Sequence, residues 1–151
     1  ESFNADDSDF QLGDAYLIMP CLNAPVYDVD VFCSSEVAFK CFVRERKNPT
    51  GIPYIGSILR KNIEIEEYAK NVASLMNLQS LHDFDLMTDP IIGPVLIEIN
   101  PRPSGSLIGL SAAGFRLLDH ALVNVAGGYA KLDDTVRDVE ILTFTESIAL
   151  S

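Results

Sequence analysis

The pattern of apolar and polar residues predicts three consecutive strands early in the chain. Apolar stretches cover residues 15–22, 26–33 and 37–46, and short polar segments at Asn23–Pro25 and Ser34–Glu36 separate them. Short runs rich in Val, Phe and Tyr that are bounded by turn-forming residues are typical of strands. We expect these three strands to be mostly antiparallel neighbours.

Two helices are predicted further along. Residues 63–77 carry apolar side chains at spacings of three and four, which is typical of an amphipathic helix. These side chains are Ile65, Tyr68, Ala69, Val72, Leu75 and Met76. A second helix is expected over residues 115–125, where Gly127 and Gly128 would end it.

Residues 81–87 and 95–100 flank a turn at Asp89–Pro94, which predicts a β-hairpin. A last strand is expected at residues 136–144. The combined pattern predicts an α+β fold with a mostly antiparallel sheet and two main helices. Residues 1–13 are acidic and without periodicity, which predicts a lead-in or linker before a single domain.

The amino-acid composition limits the classes of molecule that this chain can bind. The net charge of −11 repels nucleic acid and anionic membranes, so a bound phosphate needs a metal cation or a few local arginines. No apolar run approaches the roughly 18 residues that a membrane helix requires. The three scattered cysteines, Cys21, Cys33 and Cys41, predict buried, reduced thiols and a cytoplasmic protein.

Candidate chemistry concentrates in the predicted hairpin. Glu98 and Asn100 lie two apart in a strand, so both side chains share one face while Ile97 and Ile99 would enter the core. A hairpin symmetric about its turn sets Asp85 opposite Glu98 and Asp83 opposite Asn100. Opposed carboxylates repel one another unless a cation lies between them, and Mg²⁺ prefers such hard oxygen ligands.

Positive charge is sparse but local. Arg102 follows the acidic strand, and its guanidinium suits a phosphate oxygen. The backbone of Pro103–Ser106 could bind an anion or could form a simple turn. Arg44 and Arg46 alternate on one predicted strand, where they could face phosphates or an acidic substrate, or could form a solvated strand end.

Two further features are a pair of acidic residues on one strand and a histidine beside the hairpin carboxylates. Asp28 and Asp30 alternate with apolar residues, so their carboxylates share one face of the sheet. His82 lies beside the carboxylates in sequence, but its side chain should point to the face opposite Asp83. A transition-metal or general-base role is therefore the less favoured interpretation of His82.

The segment from Leu81 to Gly114, with EINPRPSGS and SAAG, resembles the ATP-grasp superfamily, especially its carbamoyl-phosphate-synthetase-like branch. Upstream, LIMPCL, YDVDVFC and VRERKNPTGIP resemble the adenine-side strand, the strand after it and a basic strand with its loop. The resemblance covers about residues 15–130. It implies that residues 14–151 form the carboxyl-terminal, metal-binding lobe of an ATP-grasp domain.

The resemblance also implies roles for residues. Asp85, Glu98 and Asn100 would bind Mg²⁺, with Mn²⁺ as the alternative cation, and Arg102 would contact phosphate or substrate. Main-chain groups of Ile18 and Met19 would contact the adenine of ATP, and the apolar walls would be Leu17 and either Leu96 or Leu86. Pro20 and Val26 stand where many relatives have glutamates, so the usual ribose contacts are not expected.

The function implied is that of an ATP-dependent carboxylate–amine ligase that binds Mg-ATP and forms an acyl phosphate. Its partners would be ATP and a small carboxylate, and an amino-terminal lobe with a lysine and a glycine-rich loop would be supplied in cis from outside these residues. A homodimer is left open. Two alternatives remain: a non-catalytic nucleotide-binding or regulatory module, and a different metal-dependent phosphotransferase.

Overall fold

The computed structural model describes residues 21–22, 25–34, 39–48, 55–128 and 138–142. The described elements are, in chain order, β1 (Val26–Cys33), β2 (Lys40–Arg46), β3 (Gly56–Leu59), α1 (Ile63–Leu75), β4 (Ser80–Asp89), β5 (Gly93–Asn100), α2 (Leu107–Ala112), α3 (Leu117–Val125) and β6 (Val139–Leu142).

The described strands form one six-stranded sheet in the order β5-β4-β1-β2-β3-β6, and every neighbouring pair is antiparallel. The predicted α+β class with a mostly antiparallel sheet is therefore confirmed. The two expected helices correspond to α1 and α3, and the short helix α2 was not predicted. The predicted lead-in and most of the predicted strand at residues 15–22 lie outside the described residues.

Helix α1 covers one face of the sheet. Side chains that alternate along β1, β2 and β4 pack against the buried stripe of α1, and the cluster contains Val29, Val31, Val43, Phe84, Ile65, Ala69 and Ala73. Leu75 and Met76 were expected on this stripe, but both are exposed. Leu75 lies two residues after buried Ala73, and successive helical residues are about 100° apart, so it points away from the sheet.

Both ends of α1 follow from local chemistry. Asn62 Oδ1 accepts a hydrogen bond from the Ile65 N–H at 3.2 Å, and the Glu66 carboxylate accepts one from the Asn62 N–H at 3.1 Å. This reciprocal arrangement resembles a capping box, with the acidic residue one position later than in the standard motif. The helix ends at Leu75, two residues before the predicted boundary, because Asn77 adopts the left-handed conformation with φ 51°.

Helices α2 and α3 cover part of the opposite face. Their buried side chains pack near the end of β1 and the beginnings of β2 and β4. This cluster contains Phe32, Phe42, Leu59, Leu81, Leu107, Leu110, Phe115, Leu117 and Ala121. The rings of Phe42 and Phe115 lie 4.9 Å apart. Along the same strands and on the same face, alternation then brings charged residues in place of apolar ones.

The hairpin of β4 and β5 has the predicted pairs, Asp83 with Asn100 and Asp85 with Glu98. The turn is shorter than predicted, because Asp89 already pairs with Gly93. An irregularity next to Asp85 inserts one residue and restores the register beyond it. The prediction that Ile97 enters the core is wrong, since this side chain is exposed at the irregularity.

The pattern of residues did not predict strand β3. Its four residues carry little periodic signal of their own, and β3 exists through pairing with β2 on one side and β6 on the other. Strand β6 lies within the predicted strand at residues 136–144. Gly56 adopts φ 133°, where side chains are disfavoured.

None of the three cysteines forms a disulfide bond. The prediction that their thiols are buried holds only in part. Cys33 and Cys41 are half-buried, whereas Cys21 is exposed. Within the described ranges, no helix has both the length and the apolar character that crossing a membrane requires.

We predict that Gly56→Ala destabilises the fold, because a Cβ at this position would overlap the carbonyl oxygen of Ile141 on β6. Adding the cost of its backbone conformation, we expect a loss of more than about 1 kcal/mol in the free energy of unfolding, measured with urea. Gly105→Ala is the matched control, since its Cβ would meet no atom within 4 Å. Equal stability of the two variants would contradict this assignment.

Candidate functional site

Two cross-strand rows carry the polar residues of the second face. In the first row, Glu98, Asp85, Asp28 and Arg44 are successive partners on β5, β4, β1 and β2. In the second row, Asn100 pairs with Asp83, which pairs with Asp30. We call the carboxylates of these rows the carboxylate patch, which consists of Asp28, Asp30, Asp83, Asp85 and Glu98.

Arg44 is bound inside the protein rather than at its surface. Its side chain is 1% exposed, and Nε and Nη2 donate hydrogen bonds to Asp30 Oδ2 at 2.9 and 2.6 Å. Nη2 also donates to Ser104 Oγ at 3.2 Å, and Nη1 donates to Ser106 Oγ at 2.6 Å. Arg44 was expected to face phosphates or an acidic substrate, or to form a solvated strand end, and the structure places its donors on protein acceptors instead.

Arg46 lies between two of the three carboxylates of the first row, Asp28 and Asp85. Its Nε donates to Asp28 Oδ1 at 2.8 Å, and its Nη2 donates to Asp85 Oδ2 at 3.0 Å. The side chain is 19% exposed, so it borders solvent. We expected a metal ion to compensate the negative charge of Asp85. In the structure, Arg46 compensates part of that charge. Glu98 forms no salt bridge with another described residue.

The carboxylates outnumber the arginines that contact them. Burial and mutual repulsion therefore weaken some of them as acids. Burial, followed by repulsion from Asp30, Asp85 and Asp28, raises the pKa of Asp83 to about 7. Burial also raises the pKa of Asp30, although Arg44 opposes the effect. Asp83 Oδ1 and Asp30 Oδ1 are buried with no hydrogen-bond partner in the described part of the chain.

Arg102 lies at the edge of the carboxylate patch. Its Nη1 donates to the Pro103 carbonyl oxygen at 2.9 Å and lies 3.8 Å from Asp83 Oδ2. The side chain is 57% exposed, so a solute can reach it. The N–H groups of Ser106 and Leu107 already donate to Ser104. For residues 103–106 the structure therefore favours the turn over the backbone anion site.

Other predicted residues lie apart from the carboxylate patch. Leu86 is fully buried under α1 on the opposite face, and Leu96 packs against the same cluster. His82 is buried, and its Nδ1 has no partner among the described residues. Leu17, Ile18 and Met19 lie outside the described residues.

A complete metal cage is not part of this arrangement. Among the described residues, no group of three or more His, Cys, Asp or Glu side chains is arranged to hold a metal ion. Asp85, Glu98 and Asn100 offer two carboxylates and one amide, so they could supply only part of a coordination shell. Mg²⁺ commonly takes its remaining ligands from phosphates and water.

Sequence reasoning did not include Asp28 and Asp30 in the site. Both strands carried a signal, because two acids alternate on β1 and two arginines alternate on β2. Pairing those strands places opposite charges on one face and identifies the arginines as partners of Asp28 and Asp30.

The fold agrees with the comparisons with known proteins. Residues 13–147 match the model of a family described as ATP-grasp in the biosynthetic pathway with Ter operon. The match includes most of the chain, so the chain belongs to this ATP-grasp family. The carbamoyl-phosphate-synthetase-like branch remains a prediction.

A solved structure shares the fold. The crystal structure of the ADP complex of purK, N5-carboxyaminoimidazole ribonucleotide synthetase, aligns with a TM-score of 0.63 and 18% sequence identity. The alignment covers 81% of this chain and 34% of that chain, so this chain spans about a third of that enzyme's length. A search of curated proteins found no match.

We predict that Arg44→Met destabilises the chain by about 3–5 kcal/mol, because it leaves the Asp30 carboxylate buried without its partner. Arg46→Met should cost less, since Arg46 is partly solvated. Urea unfolding of both variants measures the difference, and adding Asp30→Asn to Arg44→Met should recover part of the loss. Similar losses for the two arginines, or no recovery, would show that the buried pair is not the dominant interaction.

We also predict that metal-free protein loses stability as the pH rises from 5 to 8. Asp83 loses its proton near pH 7 in the folded chain but near its ordinary value of 3.8 when unfolded. The protonated form therefore favours folding, and this contribution disappears as the pH passes 7. Asp83→Asn should flatten the pH profile of the free energy of unfolding, measured in EDTA. Parallel profiles for variant and wild type would refute the assignment.

Proposed function

We propose that this chain is the metal-binding part of an ATP-grasp ligase, where it binds Mg-ATP for the activation of a carboxylate as an acyl phosphate. The observation that carries the proposal is the excess of negative charge in the carboxylate patch, in which five carboxylates lie beside two arginines of the sheet and three of them, Asp28, Asp30 and Asp85, contact those arginines. Such an excess on neighbouring strands is unfavourable by itself and suits a bound cation.

The donors fit Mg²⁺, with Mn²⁺ as the alternative. Asp85, Glu98 and Asn100 would hold the ion, and the unpartnered buried oxygen of Asp83 is a further sign that positive charge is lacking there. When bound, the ion would neutralise the phosphates of ATP and hold them for transfer. Two carboxylates and an amide with phosphate oxygens are a ligand set that Mg²⁺ favours.

The arginines would divide their roles. Arg102 is exposed at the edge of the patch and would bind an oxygen of the transferred phosphoryl group, stabilising its charge. Arg46 borders solvent beside Asp85 and would lie next to the phosphates. Arg44 would act indirectly, since it holds Ser104 and Ser106 and so positions the segment that follows Arg102.

In the reaction, a carboxylate oxygen of the substrate would attack the γ-phosphorus of ATP, releasing ADP and leaving an acyl phosphate for an amine to capture. Leu17, Ile18 and Met19 would contribute the adenine contacts. A second lobe with a phosphate-binding lysine would complete the site, as the family resemblance implies.

A non-catalytic nucleotide-binding module is the second candidate. It is favoured by Arg44, whose donors are bound by Asp30, Ser104 and Ser106 and are therefore not free for a phosphate. A titration of the chain with Mg-ATP, together with an assay for ADP release, separates the candidates. Both candidates predict magnesium-dependent binding, but only the ligase predicts carboxylate-dependent ADP release by the protein that contains the second lobe, and no binding at millimolar nucleotide would contradict both.

We predict that Glu98→Gln weakens Mg-ATP binding at least about tenfold, because it removes one charged ligand of a cation that holds the phosphates. Isothermal titration calorimetry with and without Mg²⁺ measures the effect. Glu67→Gln is the matched control, since Glu67 is exposed on α1, which covers the other face. Unchanged binding by Glu98→Gln, or equal losses in both variants, would defeat the metal assignment.

A further inference from the structure

A cleft of about 350 Å³ opens beside the carboxylate patch. It lies between the beginning of β4, the outer side of α3 and the segment Pro101–Pro103, and Arg102 belongs to both the cleft and the patch edge. Sites for small molecules are concave, are mostly apolar and measure roughly 300–1,000 Å³. The cleft is therefore at the lower end of the size range for small ligands.

One wall of the cleft is apolar and uncovered. Leu118, Leu122 and Val125 line it, and their spacing of four and three residues places them along one side of α3. They are 40%, 60% and 76% exposed, whereas Ala121 beside them is buried against the sheet. Helix α3 thus has two apolar sides, and only one of them is used in the core.

The other end of the cleft is polar. Among the described residues that line the cleft, Arg102 is the one that carries a full charge, and its side chain is 57% exposed. His82 lines the cleft as well. An anionic group at Arg102 would lie within reach of the patch edge, where the proposed function places the phosphates, while the rest of the same molecule would contact α3.

We propose that this cleft binds the carboxylate substrate and that this substrate is a small acid with an apolar body, aliphatic or aromatic. The inference rests on the proposed function, because it places the reacting carboxylate at Arg102. The wall of Leu118, Leu122 and Val125 covers the body of the acid. A small hydrophilic acid would leave that wall exposed.

Charge favours the same class of substrate. The chain carries a net charge of −11, and the carboxylate patch lies beside the cleft, so the surrounding charge opposes the binding of an acid and Arg102 supplies a local attraction at the cleft. One exposed arginine offers little affinity in water. The remaining affinity must come from apolar surface removed from water, which contributes in proportion to the area buried.

The test measures binding of acetate, butanoate and hexanoate to the full 151-residue chain by NMR and calorimetry. The methyl signals of Leu118, which lines the cleft, can be assigned with Leu118→Met and used as the reporter of cleft occupancy. Affinity should rise about tenfold from butanoate to hexanoate, somewhat below the limit of about fourfold per fully buried methylene.

Matched variants separate the cleft from nonspecific binding. Leu122→Ser should weaken hexanoate binding about fivefold without changing acetate binding, because it removes most of one apolar contact. Ile91→Ser is the control, since Ile91 is 90% exposed at the hairpin turn, at the opposite end of β4 from the cleft. Arg102→Gln should weaken hexanoate but not hexanol, which lacks the charge.

Affinity that is independent of chain length, or equal losses in Leu122→Ser and Ile91→Ser, would overturn the inference. Mg-ATP titrations of the same proteins keep it distinct from the proposed function. If Mg-ATP binds and hexanoate does not, the substrate inference fails alone. If hexanoate binds with the expected pattern and Mg-ATP does not, the cleft assignment stands and the nucleotide role fails.

Discussion

Repulsion between carboxylates on neighbouring strands is the constraint around which this structure is arranged. Three adjacent strands, β1, β4 and β5, bring their acids to one face, and the sheet accommodates them because β2 supplies two arginines. The pair of Arg44 and Asp30 is the most buried part of this arrangement. Removing either partner would leave a buried charge without compensation.

The same pair links the sheet to the segment that follows the acidic strand. Arg44 donates to Ser104 and Ser106, so the chain beyond Arg102 is tied to β2 rather than to its own hairpin. Helix α2 begins directly after these serines. Its buried apolar residues belong to the core cluster on the same face of the sheet as the carboxylate patch. The position of Arg102 at the patch edge therefore depends on a hydrogen-bond network and on packing together.

Unequal covering of the sheet creates the space for chemistry. Helix α1 covers one face, and α2 and α3 cover the apolar part of the other face, where Phe32 and Phe42 lie. Beyond that apolar part the same face carries the charged rows, in which Asp28, Asp30 and Arg44 are buried, whereas Arg46, Asp85 and Glu98 reach solvent. Nucleotide and substrate would then meet at Arg102, with the proposed metal site on one side and the apolar wall of α3 on the other.

The sequence by itself determined the features that depend on neighbouring residues. Alternation located β1 and β2, periodicity with an acidic first turn located α1, and the hairpin placed Asp85 opposite Glu98. The last result held partly because two deviations cancelled, a shorter turn and an inserted residue near Asp85. The motif around Glu98 and Asn100 also identified the ATP-grasp family, which the comparisons confirmed.

Only the tertiary structure decided what depends on contacts between distant parts of the chain. Strand β3 exists because β2 and β6 lie beside it. Arg44 turned inward because Asp30 and two serines, the serines 60 and 62 residues further on, meet it there. The amino-acid sequence shows the charge of a side chain and its position in a periodic pattern. The free energy of burying that charge depends on which partners the fold brings to it.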